Sequence, residues 1–182
     1  MIDQEEYSYD IKIPKARIAV LIGSKGDIKK RIQKETDTRI TVDSKEGVVL
    51  VIGSDALNLL DAQNIIKAIA RGFNPEIAFQ LLKPDYNLEV IDLKMVTSSK
   101  NDLMRLKGRI IGFNGKSRKT IEDLTDTSIS VYGKTVSIIG EIGDVTTAKR
   151  AISNLIKGSQ HTKVFTWLQK QRKIHKFEDQ GF

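Results

Sequence analysis

Apolar residues along this chain fall into periods of two, then of three to four, and the whole succession occurs twice. Alternating apolar and polar positions predict a strand from Tyr7 to Ile13, closed by Pro14, and another from Leu88 to Val96. After each comes a short helix, a glycine turn and a second helix carrying Ile32 or Ile121. Two short strands follow in each half, Arg39–Val42 with Val48–Ile52, and Ser128–Val131 with Val136–Ile139. The last element is long. Ala62, Ile65, Ile66, Ile69 and Ala70, and likewise Ala148, Ala151, Ile152, Leu155 and Ile156, are spaced i, i+3, i+4, i+7, i+8, the stripe of an amphipathic helix. Gly72 and Gly158 follow at the place where a helix often stops in a left-handed residue.

The predicted order is therefore β-α-α-β-β-α, twice. An α+β fold with a three-stranded antiparallel sheet and helices on one face buries each stripe in a single layer contact. Self-similarity over this length indicates a duplicated module. The expected domains are residues 1–84 and 85–182, with the break at Leu82-Lys83-Pro84-Asp85, where a proline interrupts the pattern.

The repeated turns read Ile22-Gly23-Ser24-Lys25-Gly26 and Ile111-Gly112-Phe113-Asn114-Gly115. Two glycines three apart are common by chance; here their surroundings repeat as well, with Thr36-Asp37-Thr38 and Thr125-Asp126-Thr127 at the same offset. Glycines let a backbone approach a sugar-phosphate chain closely, and the N–H groups opening the next helix are donors for phosphate oxygens. Lys25 adds charge inside the first turn. Around the second, charge comes from the flanks: Lys107, Arg109, Lys116, Arg118 and Lys119. Ile110, Ile111, Ile129 and Val131 are expected to form an apolar floor under unstacked bases.

Charge sharpens the asymmetry. The net charge is +7, with residues 1–84 carrying 13 basic against 12 acidic residues and residues 85–182 carrying 17 against 11. A polyanionic partner fits the second half better. With no cysteine there is no disulfide framework or thiolate metal site, and His161 and His175 make no metal-ligand pattern. No apolar run is long enough for a membrane span, and the acidic start Met1-Ile2-Asp3-Gln4-Glu5-Glu6 is unlike a signal peptide, so a soluble cytoplasmic protein without membrane association is expected. Gly115-Lys116-Ser117 ends like a P-loop, but Ile110 stands where that motif requires glycine. Glu122, Asp123 and Asp126 form no paired-carboxylate arrangement, so neither an enzyme nor a cofactor site is expected. The segment His161–Lys176 reads as a final helix docked by Val164, Phe165, Trp167 and Leu168, with a basic end at Lys170, Arg172, Lys173 and Lys176 that could extend a nucleic-acid path.

These turns, with Thr36-Asp37-Thr38-Arg39-Ile40 and its second copy, resemble the KH domain of the eukaryotic type (type I), whose GXXG loop clamps about four nucleotides of a single strand. The resemblance implies RNA binding by Gly23, Ser24, Lys25 and Gly26 in the first copy. In the second it implies Arg109 to Lys116 with Arg118, Lys119, Ile129 and Val131. Two departures are Lys29 and Arg118 at a usually apolar position, and Asp37 and Asp126 where glycine is usual. Lys107–Lys116, Val136–Gly140 and Ala148–Ser159 further resemble the tandem-KH ribosome-assembly family called the partner of Nob-one, in its archaeal form. That resemblance implies the 3′ end region of small-subunit ribosomal RNA as ligand. It also implies the Nob-one endonuclease and other small-subunit assembly or initiation factors as partners. Two other readings are a general KH RNA-binding regulator and an adaptor whose first KH domain docks proteins.

Overall fold

The computed structural model describes residues 6–178. Strand β1 (Tyr7–Lys12) leads into α1 (Lys15–Ile22), the first glycine turn, α2 (Asp27–Thr36), β2 (Arg39–Asp43), β3 (Val48–Gly53) and α3 (Ala56–Ala70). A short α4 (Pro75–Ala78) and a 3-10 turn (Phe79–Leu82) follow. The order then recurs as β4 (Tyr86–Asp92), a 3-10 turn (Leu93–Met95), α5 (Lys100–Ile111), the second glycine turn, α6 (Lys116–Thr125), β5 (Ser128–Tyr132), β6 (Thr135–Glu141) and α7 (Ile142–Ile156). Helix α8 (His161–Glu178) is the last among the described residues. The chain divides into two compact units between Pro84 and Asp85.

Each unit is an α+β fold with a three-stranded antiparallel sheet, ordered β1-β3-β2 in the first and β4-β6-β5 in the second. The central strand is the last in sequence. It runs antiparallel to both neighbours, so Val49 stands opposite Ile11 and Val42, and Val136 opposite Ile91 and Val131. In the second unit Val136 and Ile138 of the central strand join Ala148, Ala151, Ile152 and Leu155 of α7 in one core. The stripe read from sequence is thus the buried face, apart from Ile156, which is only partly buried.

Local chemistry sets the boundaries. Asp55 caps α3, its carboxylate accepting from the N–H groups of Leu57 and Asn58 at 2.9 Å. Strand β4 stops at Asp92, short of the expected Val96, because the Asp92 carboxylate accepts from Lys94 N–H at 2.9 Å and turns the chain. That turn drives Leu93 into the core with no exposed surface. Both Thr-Asp-Thr segments close a helix the same way. Asp37 and Asp126 adopt φ of 47° and 48°, the left-handed region that favours glycine. The threonines on either side are buried and share hydrogen bonds of 2.8 Å, Thr36 with Thr38 and Thr125 with Thr127. The departure from the usual glycine therefore retains the backbone shape, and the flanking threonines clasp it.

The units differ after their long helices. In the first, α4 and its 3-10 turn bury Ala78, Phe79 and Leu81. In the second, α8 lies on α6 and α7 and buries Val164 and Leu168, with Phe165 and Trp167 packed alongside.

Candidate nucleic-acid interface

The two glycine turns have nearly the same backbone. Gly23 (φ 74°, ψ −179°) and Gly112 (φ 73°, ψ 178°) lie in a region open essentially only to glycine. They are also crowded. A Cβ on Gly112 would stand 2.6 Å from Ser117 Cβ, and one on Gly23 would stand 2.5 Å from Ile28 Cγ1. The second glycines, Gly26 and Gly115, are left-handed at φ 79° and 75°, and a Cβ there would meet little or nothing. One residue inside each turn, Lys25 (φ 54°) or Asn114 (φ 50°), is left-handed too, a conformation asparagine tolerates better than lysine. The first glycine is thus fixed by packing and backbone together, and the second by backbone alone.

Beyond each turn a helix begins without a side-chain cap from the preceding glycine. The first residue decides what happens next. In the first unit it is Asp27, whose carboxylate accepts from Ile28 N–H at 2.8 Å and fills space against Gly23, where an added Cβ would meet Oδ1 at 2.0 Å. In the second unit the matching residue is Lys116, and the first turn of α6 contains no acid. The electropositive helix end is neutralised from within in one unit and reinforced by an ammonium in the other. Phe113 projects from the second turn with 86% of its surface exposed.

The other cations around the second turn do different work. Arg109 was expected to meet phosphate. Instead its Nε donates to Leu155 O at 3.0 Å and a terminal nitrogen donates to Ser159 O at 2.6 Å, so it caps the end of α7. Arg17 does the same for α3, donating to Ile69 O at 2.8 Å and Phe73 O at 2.6 Å. Arg17 stands six residues before its glycine and Arg109 three, so equivalent caps come from successive turns of the entering helix. Lys107 donates to Gly133 O at 3.0 Å and ties α5 to the β5–β6 turn. Arg118 donates to Ile129 O at 3.3 Å and lies 3.8 Å from Glu122. Lys119 pairs with Asp123 at 2.7 Å, and that carboxylate raises its pKa. Of these, Lys116 alone has no ion pair or side-chain hydrogen bond among the described residues.

The expected apolar floor needs the same correction. Ile110 has no exposed surface and Ile129 has 3%, and both belong to the core of the second unit. No base can touch them. Ile111 and Val131 are partly exposed and remain available. Sequence reading overlooked Met104 and Gly108, both exposed and one helical face away from the core, spaced i, i+4 and i+7 with Ile111. Glu122 accepts from Ile129 N–H at 2.7 Å, as Gln33 does from Ile40 N–H at 2.8 Å, so it pins strand to helix.

This arrangement can hold a polyanionic strand against backbone donors beside a shallow apolar surface. Comparison with known proteins agrees with the geometry. Residues 87–173 match a model of the eukaryotic type KH domain (KH domain type I), and residues 8–68 match a KH-domain model. KH domain-containing protein MJ0443 of Methanocaldococcus jannaschii is 46% identical over 175 residues, covering 94% of this chain and 77% of that one. RNA-binding protein pno1 of Dictyostelium discoideum is 31% identical over 171 residues, 91% of this chain and 72% of that one. A chain of the a/eIF2alpha-aDim2p-rRNA complex from Pyrococcus horikoshii superposes with a TM-score of 0.86 at 45% identity, covering 92% of this chain and 95% of that one. Both units, their turns and these likenesses across most of each sequence place the chain in the tandem KH-domain family of the Dim2p and pno1 RNA-binding proteins.

Proposed function

We propose that the chain binds single-stranded RNA as a factor of small-subunit ribosome assembly, holding the 3′ end region of the ribosomal RNA on its second unit. The observation that carries this reading is the open end of α6, with its uncapped amides, Lys116 and the exposed Phe113 beside Gly112 and Gly115. Gly112 and Gly115 admit the backbone, the amides and Lys116 meet phosphates, and Met104, Gly108, Ile111 and Val131 offer contacts to bases. Phosphate contacts position the strand and base contacts select it. The rRNA complex of the P. horikoshii relative supports the choice of ligand. The first unit plays a lesser part in RNA binding, because the Asp27 carboxylate occupies the helix end where a phosphate would sit. The protein acts by binding and is not an enzyme; Glu122 and Asp123 are engaged by Ile129 N–H and Lys119. The Nob-one endonuclease is the expected protein partner.

Fluorescence polarisation tests this with a short RNA copying the 3′ end of small-subunit rRNA and a scrambled RNA of equal composition. Preference for the ribosomal sequence is the expected result. Equal binding to both would leave a general KH RNA-binding protein, and binding to neither would favour an adaptor.

A further inference from the structure

Between Asp144 and Glu178 the chain holds eight lysines and arginines and no acidic residue. This run covers most of α7 and almost all of α8, outside the glycine turn. Its cations have two kinds of surroundings. Lys149 pairs with Glu89 at 2.9 Å, and Arg150 lies over the Trp167 ring at 5.0 Å, so these two are engaged. Arg172 and Lys173 instead line a groove of about 420 Å³ between α6 and α8, together with Leu124 and Gln169.

Arg172 lines this groove, and its Nε is buried without a hydrogen-bond partner among the described residues. A guanidinium N–H withdrawn from water and left unpaired costs stability unless a ligand completes it. Asp123, next to Leu124 in α6, is already held by Lys119 at 2.7 Å, and Glu122 by Ile129 N–H at 2.7 Å. The site therefore offers a forked donor, an ammonium and an amide side chain with no carboxylate among its described lining residues, a combination suited to phosphate. It is also within reach of the clamp. Leu124 lies eight residues along α6 from Lys116, about 12 Å at the helical rise.

We infer that the α6–α8 groove centred on Arg172 and Lys173 is a second phosphate site, taking the RNA backbone as it continues beyond the nucleotides held at Gly112–Gly115. This rests on the RNA-binding reading above. Its cations would meet the sugar-phosphate backbone, which carries no sequence information, so the groove adds affinity without adding sequence preference.

The test uses the full chain and two lengths of RNA. One is about five nucleotides, close to the reach of a KH clamp. The other carries about ten more on the 5′ or the 3′ side, presented as a single strand or as a hairpin stem, to find which flank and which form of RNA engages. The wild-type protein should bind one of the longer RNAs more tightly. In Arg172→Gln/Lys173→Gln that gain should vanish, and the slope of log affinity against log salt should shrink by about 1.4, or 0.7 per lost contact. Affinity for the short RNA should stay the same. Trp167 fluorescence verifies folding, and Lys173→Glu, at an exposed position, serves if the double variant unfolds. A full flank advantage in the folded variants, an equal loss on the short RNA, or no gain from either flank in the wild type would overturn the groove. Failure of the wild type to bind even the short RNA would instead overturn the clamp, and the groove with it.

Discussion

Arg109 separates a structural from an RNA-binding role most sharply. Its guanidinium donates to Leu155 O and Ser159 O where α7 ends, across 46 and 50 residues of sequence. A hydrogen bond from a charged donor contributes about 1.5–3 kcal/mol, and a cation at a helix C-terminus a further 0.3–1 kcal/mol or so. Because the site is only partly buried, water can replace some of this, and Arg109→Ala should cost the second unit about 2–3 kcal/mol. For a unit of this size that is a fall in melting temperature of about 10 °C or more. The chain has a single tryptophan, Trp167, which lies in the second unit, so its fluorescence during urea or thermal unfolding reports on that unit. RNA affinity measured below the transition should keep its salt slope. Unchanged stability together with a slope reduced by about 0.7 would show that Arg109 meets phosphate, and would refute the capping assignment.

Other residues yield predictions of the same kind. Asp126→Gly should stabilise the second unit by about 0.5–1 kcal/mol and Asp126→Ala should destabilise it, because φ is 48° there; urea unfolding gives the sign directly. Gly112→Ala should cost at least about 2–3 kcal/mol, since strain and the contact with Ser117 add, whereas Gly115→Ala, with nothing in its way, should cost about 1 kcal/mol; equal losses would refute the distinction. Burial, and then the Asp55 carboxylate, raise the pKa of Asp61 above 3.8. The folded state therefore holds that proton more tightly, and ionisation weakens the fold as pH rises through the shifted value. Asp61→Asn should raise the melting temperature of the first unit at neutral pH, with the gain fading below the ordinary carboxylate range; a gain that grows in acid would contradict this.

Much of the architecture is legible in the sequence because helix and strand periods are local. Ala62 to Ala70 and Ala148 to Leu155 lie on core-facing stripes whatever surrounds them, and the duplication checks each half against the other. What escaped the sequence depends on long-range placement. Nothing near Arg109 says that the end of α7 arrives beside it. Ile110 and Ile111 are alike in composition, and the helix phase separates them; the spacing of Leu106 and Ile110, both buried, was the signal for the core face. Asn74-Pro75-Glu76 carried start signals for α4, a helix that the reading left out between Gly72 and the break at Leu82-Lys83-Pro84-Asp85. Asp27 was legible as an acid, but its folding back against Gly23 was not.

The central claim is that the second glycine turn, and not the first, grips the RNA backbone. The direct measurement compares Phe113→Asp/Asn114→Asp with Ser24→Asp/Lys25→Asp in the full chain, by polarisation against the rRNA 3′ end sequence, after circular dichroism has verified folding. The two negative charges added in the second turn should weaken binding at least tenfold, about 1.4 kcal/mol, while the first-turn variant, which also loses the Lys25 charge, should alter it less than about twofold. Undiminished affinity in the folded second-turn variant, or an equal loss from both turns, would contradict the account.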